Sequence, residues 1–296
     1  MDRRDFLKAT GMIAAAAAGG SGRRLCAAET GPGSPHAEKI GWKLGCQAYS
    51  FNRFTWEEAV QKNRSLGLRW LEAYPGQKLS AEKPEVQFGP TMSPEIRQAV
   101  KATLQDAGVN LVNFGVVGLP NDEAGSRAVF DFAKDMGIET IVSEPTADSF
   151  DLLEKLCEEY EINVALHNHP EPSRYWNPDT VLEVTKGRSK RIGACADTGH
   201  WMRSGINPLD AVKKLEGRIV SFHLKDLNKY GRKDAHDVPW GTGEADLKAV
   251  LAEVYRQGFK GVFSIEYEHN WLNSLPEIAQ SVAFFDAVAA ELASKP

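Results

Sequence analysis

Five short apolar segments of this 296-residue chain end in residues that bind metal ions or move protons. Glu144 follows the run 139–143. His167 and His169 close the run that begins at Asn163. Asp197, with His200 just beyond, ends the run Ile192 to Ala196. His223 and Lys225 end the run Ile219 to Leu224, and Glu266 and Glu268 end the run from Gly261. Side chains two apart in a strand share a face. His167 with His169, and His223 with Lys225, should therefore point into one space. Of the seven histidines, only His36 lies outside the span 167–269. A lone Asp at a strand end is ordinarily a cap or turn residue, and a lone His a hydrogen-bonded structural group. Recurrence on successive strands points instead to a site. Glu144, Asp197, His223 and Glu266 make a ligand set of one imidazole and three carboxylates. That set suits one hard-to-borderline divalent ion, Mn²⁺, Mg²⁺ or Zn²⁺. A closed structural zinc site would favour closely spaced cysteines, which the chain does not offer.

Positioning these groups requires strands that end on one side of the molecule. From Lys43 onward the chain alternates apolar runs with helical patterns. Helix starts are marked by Thr55 and, in the expected cap-then-Pro order, by Ser93-Pro94, Asn177-Pro178 and Asn207-Pro208. Several helices end in Gly before the next run, at Gly67, Gly108, Gly137 and Gly258, the usual residue past a helix C-terminus. Eight strand–helix units predict a single-domain α/β fold, a (β/α)₈ TIM barrel, over residues 41–292. An open doubly wound sheet would want a Gly-rich turn after the first strand, and Ala48-Tyr49-Ser50-Phe51 is not one. In a barrel the C-terminal strand ends form the active face.

Residues 1–28 read as an export signal. Arg3-Arg4-Asp5-Phe6-Leu7-Lys8 resembles a twin-arginine signal, and the apolar stretch Gly11 to Gly20 is too short to span a bilayer. Cleavage after Ala28 is expected, with residues 29–40 as a flexible lead-in and a periplasmic or extracellular destination. The mature chain keeps 30 Lys and Arg against 38 Asp and Glu. It has no basic footprint for nucleic acid and no stable membrane insertion is expected. A homo-oligomer is compatible with the sequence. Cys46, Cys157 and Cys195 read as small buried apolar residues.

Asp197-Thr198-Gly199-His200, His223-Leu224-Lys225-Asp226, the loop Pro239 to Glu244, and Ser264-Ile265-Glu266 together resemble the xylose isomerase-like TIM barrels. That family includes sugar phosphate isomerases and epimerases, ketose 3-epimerases and inosose dehydratases. The resemblance implies one divalent metal held by Glu144, Asp197, His223 and Glu266. It also implies a sugar substrate from which a proton next to a carbonyl is removed, giving epimerisation, isomerisation or elimination. Glu144, Glu266 and His169 are the candidate bases. Lys225, His200 and His167 would contact substrate oxygens, and Trp176, Trp201 and Trp240 could stack on a sugar face. An endonuclease IV-like phosphodiesterase and a non-catalytic sugar-binding barrel are the alternatives. The acidic mature charge opposes the first.

Overall fold

The computed structural model describes residues 31–294. The expected signal segment 1–28 lies outside them. The lead-in is more ordered than its Gly/Pro content suggests. Pro35–Lys39 forms a short helix (α1) whose Ala37 is fully buried. The backbone N–H groups of Gly31 and Gly33 bond the carbonyls of Ser65 and Leu66, and Gly33 turns with φ +63°. The Asp286 carboxylate accepts from the backbone N–H groups of His36 and Ala37. These contacts tie the segment to two barrel helices.

The strands are β1 (Lys43–Gln47), β2 (Trp70–Ala73), β3 (Asn110–Phe114), β4 (Thr140–Ser143), β5 (Asn163–His167), β6 (Ile192–Asp197), β7 (Ile219–Leu224) and β8 (Val262–Ile265). All pair in parallel, in chain order, and β8 returns to β1 to close an eight-stranded barrel. The helices that follow are α2 (Trp56–Ser65), α3 (Pro94–Ala107), α4 (Glu123–Met136), α5 (Phe150–Tyr160), α6 (Pro178–Thr185), α7 (Thr198–Arg203), α8 (Pro208–Lys214), α9 (Leu247–Arg256) and α10 (Leu275–Ala293). The caps fall where the sequence placed them. Thr55 and Glu58 form a reciprocal capping box, and Ser93, Asn177 and Asn207 each accept from a first-turn N–H. Besides α1, the helix not expected is α7, a single short segment directly after Asp197.

Strand periodicity sorts the residues into two shells. Phe222, Phe263 and Ile265 face the helices, where Phe222 stacks on Phe263 and Trp42 packs against Phe263 and Phe285. The inward positions carry a small apolar cluster of Val142, Ala165 and Cys195 from three successive strands. Two residues further along each strand, the same inward face presents Glu144, His167 and Asp197. The polar groups thus cap an apolar layer at the C-terminal mouth. Cys46, Cys157 and Cys195 are free and buried, as expected.

Candidate functional site

Asp197, His223 and Glu266 do converge, and their fourth partner is His167. One donor atom from each of His167, Asp197, His223 and Glu266 lies within 4.8 Å of all the others, and all four residues are buried. Glu144, expected as a ligand, is not in this group. The reason is topological. The four donors come from β5, β6, β7 and β8, a continuous arc of neighbouring strands about 4.8 Å apart. Glu144 ends β4, one strand beyond that arc, with His167 next to it. Its carboxylate instead meets Nδ1 of His167 at 3.4 Å, Nδ1 of His169, and the backbone N–H of His169 at 3.3 Å. Burial pushes the Glu144 carboxyl up, but the two imidazoles outweigh this and hold it below the usual carboxylate range.

Each residue of the Asp197–His200 motif has a distinct task. One Asp197 oxygen accepts from the backbone N–H of His200 at 2.7 Å and so caps α7. The other faces the cluster, so this aspartate both caps a helix and lies in the four-residue group. Thr198 Oγ1 donates to the Lys225 carbonyl and accepts from the Lys225 N–H, at 2.7 and 2.8 Å, locking β6 to β7. A Cβ on Gly199 would lie 2.7 Å from the Lys225 Cβ, so only glycine lets that stem pass. Asn168, absent from the expected site, exchanges two hydrogen bonds with the Asp197 backbone at 2.8 and 2.9 Å. It fixes the end of β6 against that of β5.

Lys225 is fully buried, and its ammonium sits 2.8 Å from Asp197, 2.5 Å from Glu266 and 3.3 Å from Glu268. Burial alone would push its pKa down. Three carboxylates reverse that and hold it well above the ordinary lysine value. Burial likewise pushes Asp197 up, and His200 and Lys225 bring it well below the usual range. Asp226, next in the chain, performs a structural task. It accepts from the backbone N–H groups of Gly241, Gly243 and Ala245 at 2.8 to 3.0 Å. A Cβ on Gly243 would lie 2.3 Å from Asp226 Oδ1, which accounts for the glycine in that loop.

The donor set suits a divalent cation. His167 Nε2 is buried without a hydrogen-bond partner and faces Asp197 Oδ2 at 3.6 Å. A lone pair buried in this way costs free energy unless something fills it. Two imidazoles and two carboxylates form a softer, less charged set than the one read from the sequence. A second group, His167, His169 and His200, also falls within 4.8 Å. It is the poorer cation site, because it holds no carboxylate and His200 has the Arg203 guanidinium 3.0 Å from Nδ1. Burial first, then Lys225 and His167 against the opposing pull of Asp197, hold His200 well below the usual imidazole pKa.

A cavity of about 360 Å³ opens beside the cluster, lined by His169, His200, Glu266 and Glu268 together with Gln47, Tyr49, Tyr74, Pro75, Gly115 and Val116. That is within the size range of small-molecule sites. The three tryptophans expected here are not part of it. Trp201 and Trp240 are buried in packing, Trp176 is half-buried, and none lines the cavity. Its aromatic wall comes instead from the loops after β1 and β2, where Tyr49 packs edge-on against Tyr74 at 5.1 Å and against Trp271 at 5.8 Å. Aromatic residues in loops carry no periodic signal, so the sequence did not single out this pair.

Comparison with known proteins agrees with this architecture. The family model described as xylose isomerase-like TIM barrel matches residues 60–288, and the twin-arginine signal model matches residues 1–20. The signal directs export to the periplasm or beyond. No helix among the described residues is long and apolar enough to cross a membrane. A protein of Parabacteroides distasonis, known from its crystal structure, is 34% identical with a TM-score of 0.68, over 83% of this chain and 98% of that one. A xylose isomerase-like TIM barrel protein of Mycobacterium smegmatis, solved in complex with magnesium, shares the fold at 13% identity and TM-score 0.67, over 85% of this chain and 97% of that one. Inosose dehydratase of Clostridium botulinum is 26% identical over 47% of this chain and 49% of its own length. The chain spans about half the length of the curated relatives it matches. With the closed parallel barrel and a matching model over most of its length, the chain belongs to the xylose isomerase-like TIM barrel family.

Proposed function

We propose that this exported protein is a divalent-metal-dependent enzyme that removes the proton next to a carbonyl of a sugar or keto-sugar, as an epimerase, isomerase or related lyase. The convergence of His167, Asp197, His223 and Glu266 beside a cavity with one polar and one aromatic wall carries this reading. Those four residues would hold the ion, which supplies Lewis-acid polarisation of the substrate carbonyl. Replacing the expected carboxylate of Glu144 by the imidazole of His167 shifts the preference toward borderline ions such as Mn²⁺ or Zn²⁺ and away from Mg²⁺.

Proton transfer falls to the pair Glu144 and His169. The Glu144 carboxylate holds a proton on His169 Nδ1, which leaves Nε2 with the lone pair of a neutral imidazole. His169 lines the cavity and is half-exposed, so that nitrogen can serve as general base. Glu144 then stabilises the imidazolium, as a carboxylate does behind a histidine base. Glu266, the other candidate, is engaged by Lys225 and His223 and suits ligation better. Isomerisation and elimination need one such base, returning the proton to the neighbouring carbon or to a departing oxygen. Epimerisation needs a second donor on the opposite face, for which Glu268, also lining the cavity, is the candidate. Tyr49 and Tyr74 would take the apolar face of the ring.

The test is metal analysis of the purified mature protein, followed by proton NMR in D₂O with a panel of ketoses and keto-glycosides. The expected result is deuterium at the carbon next to the carbonyl. Glu144→Gln should lose about 100-fold in turnover at saturating metal. Unchanged turnover in that variant would remove Glu144 from the proton-transfer pair. A metal-free protein that exchanges no substrate proton would refute the proposal.

A further inference from the structure

Glu72 is the most completely satisfied buried carboxylate that the proposed chemistry leaves unused. It lies in β2, is 1% exposed, and projects into the barrel beneath the cluster. One of its oxygens faces His223 Nε2 at 2.8 Å and Gln47 Nε2 at 3.1 Å. The other faces Ser264 Oγ at 2.5 Å and Asn113 Nδ2 at 3.3 Å. Five strands thus meet on one side chain: β1 through Gln47, β2 itself, β3 through Asn113, β7 through His223 and β8 through Ser264. Tethers from β1, β3 and β8 hold the carboxylate still.

We infer that Glu72 is the positioning residue that fixes the ring and tautomer of His223. This rests on the metal-dependent reading above. The two amides can only donate to a carboxylate, and Ser264 completes the set with its hydroxyl. Three fixed donors, from Gln47, Asn113 and Ser264, converge on the Glu72 oxygens, so the carboxylate meets His223 as an acceptor. The His223 Nε2 must then carry the hydrogen and donate it. That leaves the lone pair on Nδ1, which faces Glu266 Oε2 at 3.2 Å and so points into the four-residue group. A carboxylate behind a ligating histidine orients the ring and raises its basicity. Glu72 is absent from the cavity lining. It reaches the four-residue group through His223.

The experiment titrates Mn²⁺ and Zn²⁺ into the metal-free mature protein by calorimetry, comparing wild type, Glu72→Gln and Asn63→Ala. Asn63 is equally buried but bridges the Cys46 N–H and the Leu68 carbonyl instead of the cluster, so it controls for general destabilisation. Glu72→Gln should bind both ions about 10- to 100-fold more weakly, and Asn63→Ala should match wild type. Equal affinity in Glu72→Gln and wild type would overturn the inference. Proton–nitrogen NMR on histidine-labelled wild type reads the same bond without metal. A downfield, slowly exchanging Nε2–H signal that disappears in His223→Gln and moves upfield in Glu72→Gln supports the pair. Its absence overturns it even if the variant does not fold. A wild type that binds no metal but shows that signal would sink the proposed function and leave Glu72 as the group that orients His223.

Discussion

Replacing Lys225 by Met removes one buried charge and keeps a stem of similar shape beside Gly199. In the native protein that ammonium lies between 2.5 and 3.3 Å from Asp197, Glu266 and Glu268. Taking away one partner of a buried ion pair costs about 3–5 kcal/mol, because the opposite charges stay behind uncompensated. At about 2–4 °C per kcal/mol for a domain of this size, the metal-free variant should melt about 10 °C below wild type. A divalent ion at the same carboxylates would supply the missing charge. Binding at 100 times Kd returns about 2.7 kcal/mol to any protein, and Lys225→Met should gain more than that, since its carboxylates are less neutralised beforehand. Thermal unfolding by circular dichroism in EDTA and in saturating Mn²⁺ measures both numbers. The variant's rise on adding Mn²⁺ should exceed that of wild type by several degrees. A melting temperature in EDTA equal to wild type, or an equal response to metal in the two proteins, would refute the idea that Lys225 and the ion neutralise the same carboxylates.

Two further predictions follow from neighbouring groups. Asp226→Ala removes the acceptor for three backbone N–H groups of the 241–245 loop and should cost about 3 kcal/mol. Hydrogen exchange should quicken first at Gly241, Gly243 and Ala245, and unchanged exchange there would contradict the role assigned to Asp226. Asp237 is buried, one oxygen has no hydrogen-bond partner, and Arg203 lies 3.3 Å from the other. Burial, opposed by Lys225 and Arg203, raises its carboxyl to about 7. The folded state therefore holds this proton more tightly than the unfolded state, so Asp237 costs stability increasingly as pH rises from about 4 to about 7. Asp237→Asn should erase that slope, its melting temperature gaining on wild type across the window and levelling off above pH 8. Parallel melting curves across pH 4–8 would show that Asp237 ionises normally.

The barrel and its active end were legible because periodicity and punctuation are local. Apolar runs of four to six residues, Ser, Thr or Asn caps and Gly stops each report on a few neighbouring residues. The convergence of Asp197, His223 and Glu266 was legible for a similar reason, since a polar group at the end of an apolar strand has one inward direction to point. What local pattern could not decide was which inward groups share a point in space. Glu144 and His167 occupy equivalent places at the ends of adjacent strands, and either reads as a ligand. Only closure of the barrel, which makes β5 to β8 one arc and leaves β4 outside it, brings His167 and not Glu144 into the four-residue group. The buried partners follow the same division. Glu72 lies 151 residues from His223 and Asn168 serves a strand other than its own, so neither leaves a mark in local spacing. Sequence determined the elements and the face each side chain takes. Tertiary closure decided the neighbours, because distance across a barrel depends on strand order and tilt, to which no single segment holds the key.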